Sequence, residues 1–159
     1  MESNLFIMCG APGSGKSYYI EHEAPDYAVV VSRDAVRFSM LSEGDEYFSK
    51  EKAVFKEFVR QIQEGLDNGK TVFADATHLN GISRYKLINN LNLENTRVYP
   101  ICFKVSLETC LERNAQRTGR ARVPDSALIN MYNSMTDPVN DAENFGYECY
   151  EGVLYVEEK

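Results

Sequence analysis

The stretch "GAPGSGKSYYI", Gly10 to Ile20, decides how the rest of the chain is read. It fits G-x-x-x-x-G-K-[ST], and it follows the apolar run Leu5 to Cys9 and precedes a helix-compatible segment. Glycines at Gly10, Gly13 and Gly15 allow left-handed backbone, so that main-chain N–H groups, that of Ser14 included, converge on an anion. A helix beginning near Lys16 aims its partial positive end at the same point. In such a loop Lys16 meets the β- and γ-phosphates and Ser17 offers its hydroxyl to Mg²⁺. The expected ligands are ATP or another nucleoside triphosphate, with Mg²⁺.

Outward from this loop, short apolar runs alternate with helical patterns, which predicts an α/β fold with a parallel sheet of four to five strands flanked by helices. Strands are expected at Leu5 to Cys9, Tyr27 to Val31, "TVFAD" from Thr71, Arg97 to Val105 and Gly152 to Val156. Apolar residues Phe48, Phe55, Phe58, Val59, Ile62 and Leu66 recur near helical spacing, predicting a long amphipathic helix from Glu46 to about Asn68. Ser83 to Leu91 reads as a second crossover helix. Ser106 reads as the cap of a helix running toward Arg113, and Pro124 as a first-turn residue of a helix through Met135. The stretch from Asp137 to Tyr150 carries no clear pattern.

In parallel sheets, ligands gather beyond the carboxyl ends of the strands, where "SRDAVR" and Asp75 also fall. If a helix starts after the second strand, Asp34 and Arg37 face one cleft, and the carboxylate there can accept the proton of an attacking hydroxyl. The same two residues would equally serve as a helix cap and a surface ion pair. Asp75 ends an apolar strand, a place suited to a carboxylate near the Mg²⁺ water shell, to holding Arg37 or an acceptor, or to a turn. His78 is expected to line the same loop.

Phosphoryl transfer spreads negative charge over the equatorial oxygens and calls for cations that close over them. "RNAQRTGRAR" supplies Arg113, Arg117, Arg120 and Arg122 without an intervening acid, and Gly119 offers a hinge. A lid over residues 113–124 is therefore expected.

The whole chain has 159 residues, 43% hydrophobic and 26% charged, which suits one domain. Its net charge of −7 argues against general adhesion to nucleic acid but not against local phosphate contacts. Cys9, Cys102, Cys110 and Cys149 form no C-x-x-C pair and read as reduced structural thiols. The N-terminal apolar run is too short for a signal peptide or a membrane span, so a cytoplasmic protein is expected, in the host cytoplasm if phage-encoded, with no membrane partner.

"GAPGSGKS", "SRDAVR", "DATHLN" and "ERNAQRTGRARVPDSALINMYNSM", in this order, resemble the kinase domain of the bacteriophage polynucleotide 5′-kinase family over roughly residues 4 to 136. The resemblance implies transfer of the ATP γ-phosphate to the 5′-hydroxyl end of DNA or RNA. It implies that Lys16 and Ser17 hold phosphates and Mg²⁺, that Asp34 is the general base, and that Arg37 grips the acceptor's adjacent phosphate with Asp75 in support. Arg117 resembles the lid arginine that stabilises the transferring phosphoryl, and Arg113 precedes it at the family's spacing. His78 stands where the family often has asparagine, and the lid is one residue longer. No D-x-D-x-T sequence is present, so the resemblance implies a kinase without a 3′-phosphatase, linked in end repair to a separate phosphatase and ligase. Self-association is left open. A small-molecule kinase acting on a sugar, nucleoside or antibiotic hydroxyl would share the same fold. A nucleotide-binding regulatory module would have no use for Asp34 beside Arg37 and Arg117.

Overall fold

The computed structural model describes residues 2–146 and 149–158. Five parallel strands form one sheet: β1 (Ser3–Cys9), β2 (Val29–Ser32), β3 (Thr71–Asp75), β4 (Thr96–Lys104) and β5 (Leu154–Glu157), in spatial order β2-β3-β1-β4-β5. A parallel pair needs a crossover, and helices supply the crossovers that cover both faces. They are α1 (Lys16–Glu23), α2 (Arg33–Met40), α3 (Glu51–Asp67), α4 (Gly81–Asn89), α5 (Leu107–Ala115), α6 (Asp125–Asn133) and the short α7 (Asp141–Phe145). The α/β class and parallel sheet expected from the sequence are thus present.

Because both faces are covered, β1 reads as a nearly continuous apolar run rather than an alternation. Leu5 and Ile7 enter a core with Phe58, Ile62 and Leu66 of α3 and Leu87 of α4. Met8 packs on the opposite side with Ile101, Phe103, Cys110 and Leu128. Cys9, Cys102 and Cys110 are buried free thiols, and burial pushes the Cys9 thiol up to about 12, which suits inert core residues.

Several boundaries differ from the sequence expectation. The second strand starts at Val29, not Tyr27, because the chain first turns with the Ala28 amide donating to the Pro25 carbonyl at 3.0 Å. The long helix starts at Glu51, not Glu46: Asp45 and Ser49 close successive turns onto Ser42 and Glu46, and Phe48, counted as the first buried position of the helix, is 67% exposed. Pro124 is the N-cap residue of α6 rather than its first helical residue, and that helix ends at Asn133.

The unpatterned tail is held by an interaction that periodicity does not encode. Arg84 of α4 and Asp141 of α7 are both buried and meet with Nε–Oδ2 at 2.7 Å and Nη2–Oδ1 at 2.9 Å. Arg84 also donates to the carbonyls of His78 and Thr136, and the Tyr150 hydroxyl donates to Asp141 at 2.7 Å. The tail thereby fixes the backbone of the loop after β3.

The register brings the functional segments level. Ser32 pairs with Asp75, Ile7 with Ala74 and Cys9 with Cys102, so the ends of four strands share one edge. The segments that leave this edge build a cleft of about 980 Å³.

Candidate active site

At the centre of the edge, Gly10 to Ser17 wraps into a loop that leads into α1. Gly13 and Gly15 have φ of +83° and +98°, as expected, whereas Gly10 is small for lack of room: a Cβ there would lie 2.4 Å from Ser14 Oγ. Gly13 combines both needs, since its Cβ would lie 2.6 Å from the Cys110 carbonyl oxygen. Lys16 Nζ donates to the carbonyls of Gly10 and Ala11 at 2.7 and 3.0 Å, inside the loop it spans. Burial pushes its ammonium down to about 8, although Asp75 pulls the other way. Burial likewise raises the Asp75 carboxyl, and Lys16 opposes that shift. Asp75 thus faces the loop lysine.

Ser17 and Asp75 both line the cleft, while among the described residues no three carboxylate, histidine or cysteine groups converge on a point. That donor set suits Mg²⁺, which binds through one or two protein oxygens plus phosphates and water, and does not suit an all-protein cage.

A second wall of the cleft is built by α2. Ser32 caps it by accepting from the Ala35 amide at 3.2 Å, so Asp34 is not the cap but stands in the first turn with its side chain 64% exposed to the cleft. Arg37, one turn on, is nearly buried and pairs with Asp34. Its main partner is one that the sequence did not suggest: Glu51, at the start of α3, accepts from Arg37 Nε at 2.8 Å and Nη2 at 2.6 Å. Glu51 also accepts from Arg33 Nη2 at 3.3 Å, and Arg33 lies over the Phe55 ring. The hydrogen bonds from Arg37 hold the Glu51 carboxyl below its usual range. Tyr47 completes the cluster, accepting from Arg37 Nη1 at 3.0 Å and donating to Asp34 Oδ1 at 2.9 Å. A signal for Glu51 was present in hindsight: Arg33 and Arg37 sit four apart on one helix and need a common counter-charge.

The arginine segment closes the third side. Arg113, on the last turn of α5, donates to the Gly13 carbonyl at 3.2 Å and so touches the phosphate loop. Arg117, Arg120 and Arg122 line the cleft, and Gly119 turns the chain with φ +60° in a 3₁₀ turn. Both ends of the segment are tied to buried Asn114, whose side chain donates to the Val123 carbonyl at 2.6 Å and accepts from the Val123 amide at 3.0 Å. Arg120 reaches across to the Asp45 carbonyl at 3.3 Å, bridging to the loop before α3.

His78 also lines the cleft but is buried, with Nδ1 2.7 Å from the Met8 carbonyl. Burial pushes it down to about 4, so it stays neutral at ordinary pH and acts as a backbone brace.

A family model described as an AAA domain matches residues 5–138. An L-seryl-tRNA(Sec) kinase of Methanococcus maripaludis is 27% identical over 145 residues, covering 84% of this chain and 53% of that protein. The chain thus spans about half the length of this curated relative. Among solved structures, a chain of the Pnkp1/Rnl/Hen1 RNA repair complex superposes with a TM-score of 0.72 at 23% identity, covering 91% of this chain and 46% of that one. A gluconokinase from Sinorhizobium meliloti 1021 gives 0.58 at 22% identity, over 97% of this chain and 82% of that one. At such identities the two structures speak for the fold alone. The family match runs from β1 to the turn after α6, through every element that lines the cleft, and the chain therefore belongs to the AAA domain family with the fold of a P-loop kinase.

Proposed function

We propose that this P-loop kinase is a polynucleotide 5′-hydroxyl kinase, a single domain that transfers the γ-phosphate of ATP to the 5′-OH end of DNA or RNA. The observation that carries this reading is that one cleft is lined by Lys16 and the phosphate loop, by Asp34, and by Arg33 and Arg37. In this reading Asp34 takes the hydroxyl proton as the oxygen attacks the γ-phosphorus, and the bond to the β–γ bridging oxygen breaks to release ADP. Lys16 and the loop amides, of Gly13, Ser14 and Gly15 among them, hold the phosphates, and Ser17 with Asp75 would hold Mg²⁺, whose chemistry is to neutralise phosphate charge. Arg113 braces the loop, and Arg117 descends from the lid onto the transferring group. An arginine in that position is typically worth 10³–10⁵ in turnover. Substrates that meet this description arise where a nucleic acid has been cut to leave a 5′-hydroxyl, so a 3′-phosphatase and a ligase are the expected functional partners.

One observation favours a second reading, a small-molecule hydroxyl as acceptor. Arg37, the expected clamp for an acceptor phosphate, already carries a bidentate carboxylate. The gluconokinase shares the fold, and its acceptor is a sugar acid by name.

The deciding experiment offers labelled ATP and Mg²⁺ with equal amounts of a 5′-hydroxyl oligonucleotide, a 3′-phosphorylated mononucleotide, nucleosides and sugars including gluconate. Label on the oligonucleotide and the 3′-phosphorylated mononucleotide supports the polynucleotide reading. Label confined to a sugar or a bare nucleoside overturns it.

A further inference from the structure

Asp34 is an exposed aspartate at the start of a short helix, and such a side chain ordinarily samples several rotamers. Here it does not stand alone. The Tyr47 hydroxyl and Arg37 Nη1 both donate to the same oxygen, Oδ1, and no other protein group bonds Oδ2 among the described residues. We infer that Tyr47 is a positioning residue for phosphoryl transfer: with Arg37 it pins Oδ1 of Asp34, so that Oδ2 alone is presented to the acceptor hydroxyl. The inference rests on Asp34 being the proton acceptor in the reaction proposed above.

The surroundings of Tyr47 suit that task. Its ring packs edge-on against Phe48 at 4.5 Å and Phe38 at 6.0 Å, and the Arg37 guanidinium lies 4.6 Å from its centroid. A phenol fixed on three sides has little freedom left to lose when it bonds a carboxylate. The backbone carrying it is also the one the lid rests on, because Asp45, two residues earlier, accepts from Arg120. Lid and base holder therefore share one loop, residues 41–50, and a lid that leaves the cleft releases a contact on the segment that holds Tyr47.

The test is Tyr47→Phe, which keeps the ring and removes the hydroxyl. Turnover falls about 10- to 100-fold, the range expected of a misplaced reacting group, while the KM for ATP stays within about twofold. In an Asp34→Asn background the same change costs no further activity, since a residue that acts through Asp34 has nothing left to act on. Unchanged turnover in Tyr47→Phe overturns the inference, and so does an equal loss in both backgrounds, which would put Tyr47 on the substrate itself.

A second measurement needs no acceptor. Burial and the neighbouring Asp34 carboxylate push the Tyr47 phenol above its usual range. With tyrosine labelled at Cζ and the signal assigned by its loss in Tyr47→Phe, Asp34→Asn moves the Tyr47 titration to lower pH. A titration that ignores Asp34 overturns the inference. If the wild-type enzyme labels no oligonucleotide, the polynucleotide reading falls, and Tyr47 is then assayed on whichever hydroxyl of the panel takes the label.

Discussion

Arg37 and Glu51 lock together through two parallel hydrogen bonds, Nε to Oε2 at 2.8 Å and Nη2 to Oε1 at 2.6 Å, in the wall of the cleft that also carries Asp34. A bidentate guanidinium–carboxylate pair fixes direction as well as charge. It presents the remaining edge of Arg37 to Asp34 and Tyr47, and it leaves this wall of the cleft less cationic than the sequence suggests.

Replacing the carboxylate tests that arrangement. Glu51→Gln keeps the shape but removes the charge, and should cost about 1–3 kcal/mol at neutral pH in denaturant titrations. Because Glu51 is held below its ordinary 4.5, its contribution is complete above that value and disappears as pH falls through the lowered one. The stability gap between wild type and variant should close on acidification below about 4.5. At neutral pH the variant should bind a 5′-hydroxyl oligonucleotide with lower KM and a steeper salt dependence, because Arg33 then lacks its counter-charge and Arg37 keeps only Asp34.

Lys16 titrates near 8 rather than 10.5, so at pH 8 to 8.5 much of the free protein carries it without its proton. A triphosphate favours the charged form. Binding of ATP at that pH should take up a proton, seen as a calorimetric enthalpy that changes with the ionisation heat of the buffer, and Lys16→Met should abolish both the uptake and most of the affinity. For stability the sign is opposite to that of a lysine held in an ion pair, whose pKa is raised. Between about 8 and 10.5 the unfolded chain holds a proton that the folded one has released, so this group favours folding as pH rises.

Gly13 sits against α5 with a left-handed backbone and no room for a methyl group. Gly13→Ala should lose about 1–3 kcal/mol of stability and push α5, with Arg113, away from the loop. ATP affinity should fall with it, whereas Gly119→Ala, with open space around it, should leave affinity unchanged and affect turnover only.

The Arg84–Asp141 pair is buried on both sides, and Asp141→Ala leaves a guanidinium in the core with no counter-charge. The expected loss is about 3–5 kcal/mol, a drop in Tm of roughly 10 °C, read by calorimetry. A well-packed double replacement, Arg84→Met with Asp141→Leu, should recover much of it. Recovery by the double variant separates a penalty of isolation from a value of the pair.

How far the sequence carried these conclusions varied with the kind of signal. Apolar runs placed the five strands to within about two residues, since a sheet buried on both faces writes itself as hydrophobicity. The phosphate loop, Asp34, Arg37, Asp75 and the arginine segment were visible as motifs, and they do line one cleft. What stayed hidden depends on tertiary partners. Glu51 and Tyr47 belong to no motif, and Phe48 read as the opening of a buried stripe, because nothing local says that the helix starts at Glu51. Asp141 lay in a stretch with no period at all, and its partners, the distant Arg84 and the Tyr150 hydroxyl, are tertiary.

The grip of Asn114 on Val123 from both directions gives the arginine segment a fixed footing, because the chain leaves and returns at one buried residue. Arg117 and Arg120 therefore ride on a loop clamped at its base, and freedom to swing is left to the few residues around Gly119, as in a drawer pull held by both screws.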